Sequence, residues 1–234
     1  MNRARVRALL IAIVIGAAVA IAVASRERAA SPAAERPPLL LLTSLPLMFG
    51  ENFSVDGGSR TLSALQARYR VVPISVTGDT DLARGRLLLM AHPFAQPAEN
   101  LVALDAWVRG GGQLLLLADP MLEWPSSRPL GDPLRPPPMF MDTGLLAHWG
   151  LRLDAPDERG PREETLGGQR ILTDSPGRLS GGCAIGGGGL VAHCRIGKGR
   201  ATIIADADFL DVERLGRRAN LDALLVELAA LEQG

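Results

Sequence analysis

The segment Arg86–Pro120 constrains the fold of this chain most strongly, because its pattern predicts a strand, a helix and a second strand. The first strand is the apolar run that begins at Arg86, which is too short for a buried helix. A helix follows from Pro97, since proline is favoured at the first helical position, and three glycines after Arg109 end it. The second strand, Gln113–Ala118, is again apolar on both faces. Such strands belong to parallel sheets that are covered by helices, so the segment predicts an α/β fold.

Weaker patterns on both sides extend this architecture. We expect a first buried strand at Leu39–Thr43 and a second at Val71–Val76, which lies nearer an edge because it contains a proline. Near the C-terminus, residues 190–196 and 201–205 flank a tight glycine turn and predict a hairpin. The last helix is expected to begin at Asn220 as its N-terminal cap and to bury a leucine face. The predicted fold class is therefore an α/β sandwich of three layers with a mostly parallel central sheet.

The composition excludes some classes of partner. The chain has 25 basic and 25 acidic side chains, so no net charge attracts nucleic acid, and we expect no nucleic-acid partner. Aromatic residues make up only 4% of the chain, which argues against a stacking surface for single strands or sugars. The two cysteines, Cys183 and Cys194, are too few for a disulfide scaffold or a structural zinc site. They are either two buried thiols or one disulfide formed in an oxidising compartment.

The N-terminus has the features of a membrane-targeting segment. Three arginines precede an uncharged run of 17 residues, 8–24, which as a helix would be about 25 Å long and marginal for a bilayer. The heavier positive charge before this run predicts a single-pass anchor in the inner (cytoplasmic) membrane, with the N-terminus in the cytoplasm and the C-terminal domain in the periplasm. Small residues that end at Ala24 also resemble a cleavage site, so a signal peptide is the alternative.

The rest of the chain is expected to follow a simple plan. Residues 1–28 form the anchor or signal peptide, residues 29–38 a linker, and residues 39–234 a single α/β domain. Within that domain, residues 121–141 form an insertion that contains six prolines. A long loop without regular structure inside a compact domain needs a reason. The insertion contacts a partner, covers a cleft or packs rigidly on the domain, and the sequence leaves these alternatives open.

Five polar residues follow predicted strands, where open α/β sheets place their binding loops. They are Ser44, His92, Asp119, Asp206 and Asp208. If the strands before Asp119 and Asp206 are parallel neighbours, their carboxylates lie at the same edge and could bind Ca²⁺ or Mg²⁺. Alternatively, Asp206 and Asp208 cap turns through hydrogen bonds to the backbone. We predict that this edge is the surface that binds a ligand or a partner.

Two motifs resemble a known family. The stretches ALDAWVRGGGQLLLLADP (103–120) and GKGRATIIADADFLD (197–211), together with the terminal helix, are similar to the soluble domain of the auxiliary component of gliding-motility-type ABC transporters. This resemblance implies a fold like that of class I glutamine amidotransferases, a flavodoxin-like three-layer sandwich. It also implies an ABC permease and an ATPase subunit as partners. Family members often carry several transmembrane helices, whereas this chain has one hydrophobic segment and is expected not to be a permease itself.

The motifs of two enzyme classes are incomplete in this sequence. An amidotransferase needs a cysteine in a nucleophile elbow, but neither Cys183 nor Cys194 has the required glycine frame. A P-loop needs serine or threonine after Gly-Lys, but Gly197 and Lys198 are followed by Gly199. We therefore expect no catalytic residue, no cofactor and no metal centre, and we predict that the chain is not an enzyme.

The function predicted from the sequence is that of a non-catalytic, membrane-anchored accessory or binding domain, as the auxiliary component of an ABC-type transport system. One alternative is an exported metal-dependent hydrolase that uses Asp119, Asp206 or Asp208, and a metal assay of the purified domain tests it. Another alternative is a periplasmic ligand-binding protein released after Ala24, which the mass of the mature chain tests.

Overall fold

The structure is a computed structural model, and it describes residues 36–48 and 58–233. Residues from Pro38 onward belong to one structural unit. The strands are β1 (Pro38–Thr43), β2 (Arg70–Pro73), β3 (Leu87–Ala91), β4 (Gln113–Leu117), β5 (Leu151–Asp154), β6 (Pro161–Leu166), β7 (Gln169–Asp174), β8 (Arg178–Gly181), β9 (Ala184–Gly186), β10 (Val191–Ile196) and β11 (Gly199–Ile204). The helices are α1 (Arg60–Arg68), α2 (Asp79–Leu82), α3 (Ala98–Arg109), α4 (Leu145–His148), α5 (Val212–Leu215) and α6 (Arg218–Glu232), and 3₁₀ turns span Gly187–Gly189 and Asp208–Leu210.

The main sheet has seven strands in the order β2-β1-β3-β4-β11-β10-β9. Neighbouring strands from β2 to β11 pair in parallel, whereas β10 pairs antiparallel with both β11 and β9. The central strands β1, β3 and β4 are almost entirely buried because both faces of the sheet are covered. The predicted α/β class with a mostly parallel central sheet is confirmed.

The two faces of the sheet support two separate hydrophobic cores. On one face, Leu41 and Leu89 pack with the apolar side chains of α1 and α6. On the other face, Leu40 and Leu88 pack with those of α3 and α4. Because successive side chains of a strand point to opposite faces, each unbroken leucine run contributes to both cores.

The last helix differs from the prediction at its start. Helix α6 begins at Arg218, with Arg217 as its cap, so the prediction that Asn220 caps the helix is wrong. The Asn220 side chain is instead fully buried, where its amide donates to the carbonyls of Leu172 and Phe209 and its oxygen accepts from the N–H of Leu172. Asn220 therefore joins the helix to β7 and to the second 3₁₀ turn.

Two small two-stranded sheets lie outside the main sheet. Strand β5 pairs with β8, and β6 pairs with β7, both antiparallel. The sequence predicts only short strands near residues 151–153 and 170–172 in this region, because its residues are mostly polar. Strand β6 shows why the pattern is weak, since exposed and half-buried polar side chains alternate along it and only its last residue is buried.

The described residues bear on the predicted location in the inner membrane. Among residues 36–48 and 58–233, no helix is both long and apolar enough to cross a bilayer. This finding contradicts the prediction of a single-pass membrane protein with a periplasmic domain. The stretch predicted to be the anchor, residues 8–24, lies outside the described residues.

Candidate functional site

The proline-rich insertion, residues 121–141, folds over the carboxyl edge of the main sheet. Its two ends are joined where the N–H of Leu122 donates to the carbonyl of Pro138 over 3.0 Å. The N–H of Phe140 donates to the carbonyl of Asp119 over 2.6 Å, directly after strand β4. The insertion therefore packs on the domain and covers the edge where the sequence predicts binding.

Ser44 and His92 lie together under this insertion. The Ser44 hydroxyl donates a short hydrogen bond to the backbone carbonyl of His92. The His92 backbone has a φ of 47°, in the left-handed region that favours glycine, and its side chain is fully buried. Its Nε2 lies 2.9 Å from the carbonyl of Pro137, so Nε2 carries the proton and donates. The second ring nitrogen, Nδ1, has no hydrogen-bond partner in the described part of the chain.

Burial keeps this imidazole neutral. Loss of solvent lowers the pKa of His92 to about 4, and the hydrogen bond to Pro137 opposes that shift only in part. A neutral ring that donates to the carbonyl of Pro137 fastens the insertion to the end of β3. His92 therefore has a structural role here.

Asp119 and Asp206 meet at the carboxyl ends of β4 and β11, which pair in parallel. Both side chains are fully buried. The Asp119 carboxylate accepts from the N–H of Met121 and from the N–H of Ala207, each over 2.8 Å. Asp119 therefore holds the start of the insertion and the loop after β11 at the same point.

Asp206 and Asp208 organise the loop that follows β11. Oδ1 of Asp206 accepts from the N–H of Phe209 over 3.0 Å, which closes the 3₁₀ turn. Its Oδ2 and the hydroxyl of Thr173 are neighbours, but neither atom meets hydrogen-bond geometry with any described residue. Oδ2 of Asp208 accepts from the N–H of Glu123 over 2.7 Å, a second contact to the insertion.

One arginine side chain balances the negative charge of the acidic groups around this loop. The guanidinium of Arg214 lies 2.8 Å from the carboxylate of Asp211, 3.0 Å from that of Asp174 and 3.4 Å from that of Asp208. No sequence motif predicts a role for Arg214, Asp174 or Asp211. Only the spacing of Asp211 and Arg214, three residues apart at the start of α5, could have suggested a local pair.

Burial raises the pKa values of the three aspartates. It raises the pKa of Asp119 to about 7, although the N–H groups that Asp119 accepts oppose the shift. Burial and then the charge of Asp119 raise the pKa of Asp208 to about 8 and that of Asp206 well above its ordinary value. Near neutral pH the cluster therefore does not carry three full negative charges, which weakens it as a set of ligands for a hard cation.

The aspartates are positioned as backbone caps more clearly than as metal ligands. Within the ranges 36–48 and 58–233, no group of three or more His, Cys, Asp or Glu side chains is arranged to hold a metal ion. Four of the five predicted residues (His92, Asp119, Asp206 and Asp208) are fully buried, and Ser44 is half-buried beside them. The structure brings the five to one edge, where the insertion shields them from solvent.

The two cysteines lie apart from this edge. Cys183 precedes β9, Cys194 lies on β10, and the structure joins them in a disulfide. Both sulfur atoms are consequently bonded, and neither is available as a nucleophilic thiolate.

An apolar groove that no sequence pattern predicts lies beside α3. It has a volume of about 440 Å³, and Leu101, Val102, Asp105, Leu145 and His148 are among its lining residues. A narrower cleft continues from Leu101 to Phe94 and Met141, where the insertion ends. This groove is open to solvent, in contrast to the covered edge of the sheet.

Comparison with known proteins identifies similar folds. No family model matches the chain, and no curated protein matches it either. The structure of cytoplasmic protein STM1381 from Salmonella typhimurium LT2 is similar with a TM-score of 0.54 and 12% identity over 83% of this chain and 99% of that one. The mmIFT52 N-terminal domain is similar with a TM-score of 0.53 and 14% identity over 84% of this chain and 98% of that one. Such identities show a shared fold alone.

A glycosidase is also among the similar structures. Exo-beta-1,4-mannosidase Op5Man5 from Opitutaceae bacterium strain TAV5 has a TM-score of 0.49 and 17% identity, over 91% of this chain but only 38% of that one. The predicted family is wrong, because the similar structures with TM-scores above 0.5 include a cytoplasmic protein and the mmIFT52 N-terminal domain, and no glutamine amidotransferase-like structure is among those named here. The ABC permease and the ATPase subunit were expected as partners because of that resemblance, and they stay a prediction.

Proposed function

We propose that this chain is a non-catalytic binding domain whose partner is a protein that docks beside α3 and the insertion. The observation that carries this proposal is the concentration of exposed large apolar side chains in that region. Phe94, Val102 and Met141 are exposed and line the groove and its narrower cleft, and Leu130, Leu134 and Met139 are exposed on the insertion itself. Contiguous exposed apolar surface on a folded domain marks interaction sites.

The shape of the groove supports a partner with apolar side chains. Leu101, Val102 and Asp105 lie along one side of α3, so the groove follows a helix axis. Met141 adds an adaptable wall, since methionine side chains adjust to irregular surfaces. One apolar face of a partner helix or loop would fit there, with Asp105 and His148 as the polar rim.

The state of the carboxyl edge favours binding over catalysis. Asp119 and Asp208 accept N–H groups from the backbone, and Arg214 compensates the acidic groups beside them. A metal ion would have to displace these contacts. No observation therefore favours the metal-dependent hydrolase.

We also infer a flavodoxin-like topology for the sheet. The parallel strands follow the order β2-β1-β3-β4-β11, in which β11 takes the place of a fifth strand. Flavodoxin-like sheets have the order 2-1-3-4-5, and this correspondence supports the inference. In such sheets ligands bind at the carboxyl edge, so the covered edge here is the feature that shifts binding to the outer surface.

Crosslinking from defined positions tests the proposed docking surface. A photo-reactive residue is placed at Val102 or Met141 in the full chain, and a control is placed at Val226, which is also exposed but lies on α6. We expect Val102 and Met141 to crosslink to the same protein and Val226 not to do so. With that protein purified, the double substitution V102D and M141D should weaken binding about tenfold or more without lowering thermal stability. Equal crosslinking from Val226, or unchanged affinity of the double variant, would overturn the proposal.

A further inference from the structure

A second open groove lies at the opposite edge of the sheet, between β10, β11 and the end of α6. Its volume is about 420 Å³, and its lining includes His193, Arg195, Arg200 and Thr202 from the sheet. In the antiparallel register His193 is opposite Thr202, and Arg195 is opposite Arg200. Because side chains alternate along a strand, all four point to the same face.

Arg195 and Arg200 carry like charges directly opposite each other, an arrangement that destabilises the pairing of two antiparallel strands. Neither guanidinium has a hydrogen bond or ion pair with any residue in the described ranges, whereas Arg214 at the other edge contacts three carboxylates. The groove thus gathers donors whose charge the described residues do not compensate.

Two anionic features lie near the groove and limit its positive charge. Glu227 is buried and lies 3.0 Å from Nε2 of His193, so it acts on the histidine rather than on the arginines. The end of α6 contributes the negative end of the helix dipole, which is worth only a fraction of a charge. The two guanidiniums therefore leave the groove with a net positive charge.

The walls indicate what kind of anion would fit. Two guanidiniums supply forked donors that match the oxygen atoms of a phosphate group. The groove is larger than a bare phosphate needs and lies in the size range of small-molecule sites. Ala230 and Leu231 form the wall contributed by α6, which is apolar.

We propose that this groove binds a small organic phosphate ester. Arg195 and Arg200 hold the phosphate, Thr202 supplies a hydroxyl, and Ala230 and Leu231 contact the organic part. This site is separate from the docking surface beside α3, since it lies on the opposite face of the sheet, which α6 covers.

Binding of phenyl phosphate to the full chain tests this site. Calorimetry should show one saturable site for phenyl phosphate, weaker binding of inorganic phosphate and no binding of phenol. We expect R195Q and R200Q each to weaken phenyl phosphate binding about tenfold, because each removes one charged fork. The matched control is R152Q, which removes an equal charge from an arginine that is 75% exposed on β5. Phenyl phosphate should also raise the melting temperature of the unsubstituted protein and of R152Q. It should raise the melting temperature of R195Q much less.

Each other outcome would overturn the site. The absence of saturable phenyl phosphate binding would do so. An equal loss of affinity in R152Q would also do so, because it would show that the anion is attracted by the overall charge of the protein. Unchanged affinity of R195Q and R200Q would place the ligand elsewhere. If R195Q does not fold, R195K keeps the charge without the fork and should still bind more weakly than the unsubstituted protein.

Discussion

The two edges of the main sheet use charged side chains in opposite ways. At the carboxyl edge, Asp119 and Asp208 are buried and accept backbone N–H groups, and Arg214 compensates their neighbours. At the amino edge, Arg195 and Arg200 face each other in an open groove without a partner among the described residues. A polar residue at a strand end is therefore not by itself a sign of binding. The distinction lies in whether its hydrogen-bonding capacity is already used within the fold.

The largest effect is expected from Asp119→Ala. The substitution leaves the buried N–H of Ala207 and the N–H of half-buried Met121 without an acceptor, which should lower the free energy of unfolding by about 3 kcal/mol. Urea denaturation measures this loss, and hydrogen exchange should show reduced protection in residues 121–141. Asp154→Ala, at a half-exposed carboxylate, is the control and should change stability by less than about 0.5 kcal/mol. A similar loss in both variants would show that the carboxyl edge is no more constrained than the surface.

A smaller loss is expected from Arg214→Gln. The guanidinium is 31% exposed, so water offsets part of the lost interaction with Asp174, Asp208 and Asp211. We expect the free energy of unfolding to fall by about 2 kcal/mol at neutral pH, again measured by urea denaturation. The loss should decrease at acidic pH, where the carboxylates become protonated. A loss that is independent of pH would mean that Arg214 acts through packing alone.

The stability of the carboxyl edge should also depend on pH. The folded pKa values of Asp119 and Asp208, about 7 and about 8, lie above their unfolded values, so the folded state retains protons that the unfolded state has released. This contribution is complete below the unfolded values near 4 and decreases as pH rises towards 8. His92 acts in the opposite sense, but only between about 4 and 6.5.

The interval between pH 6.5 and 8 therefore isolates the aspartates from His92. We expect the free energy of unfolding to fall there by about 2 kcal/mol. Asp208→Asn, which cannot ionise, should flatten this dependence. Stability that instead rises across the interval would contradict the raised pKa values.

Much of the fold could be predicted from the sequence because its strands are apolar over their whole length. Arg86–Pro120 defines β3, α3 and β4, and each boundary is marked by glycine or proline. The pairs β5–β8 and β6–β7 could be predicted only in fragments, since β5 is only four residues long and the polar residues of β6 do not alternate with apolar ones. Local patterns also misplace Asn220, whose partners Leu172 and Phe209 are distant in sequence.

The candidate sites could be predicted less well than the fold, because they are formed by contacts between residues that are far apart in the sequence. The sequence places Asp119 and Asp206 at strand ends, but it does not show that the insertion covers them. Nor does it show the facing of Arg195 and Arg200, although the glycine turn between β10 and β11 sets that register. The predicted hairpin starts its second strand at residue 201, whereas in the structure that strand starts at Gly199, so a two-residue turn at Gly197 and Lys198 pairs Arg200 with Arg195.

The smallest effect is expected from Arg195→Gln, and its sign is the sharpest test of the comparison. Without ligand, this substitution removes the repulsion from Arg200, so the free energy of unfolding should rise by about 0.2–1 kcal/mol. The same change at Arg214 should lower it, because that guanidinium compensates carboxylates. Urea denaturation of both variants in phosphate-free buffer measures the two signs side by side. A loss of stability in Arg195→Gln would show that this arginine is held by interactions within the fold, and the two edges would then not differ in kind.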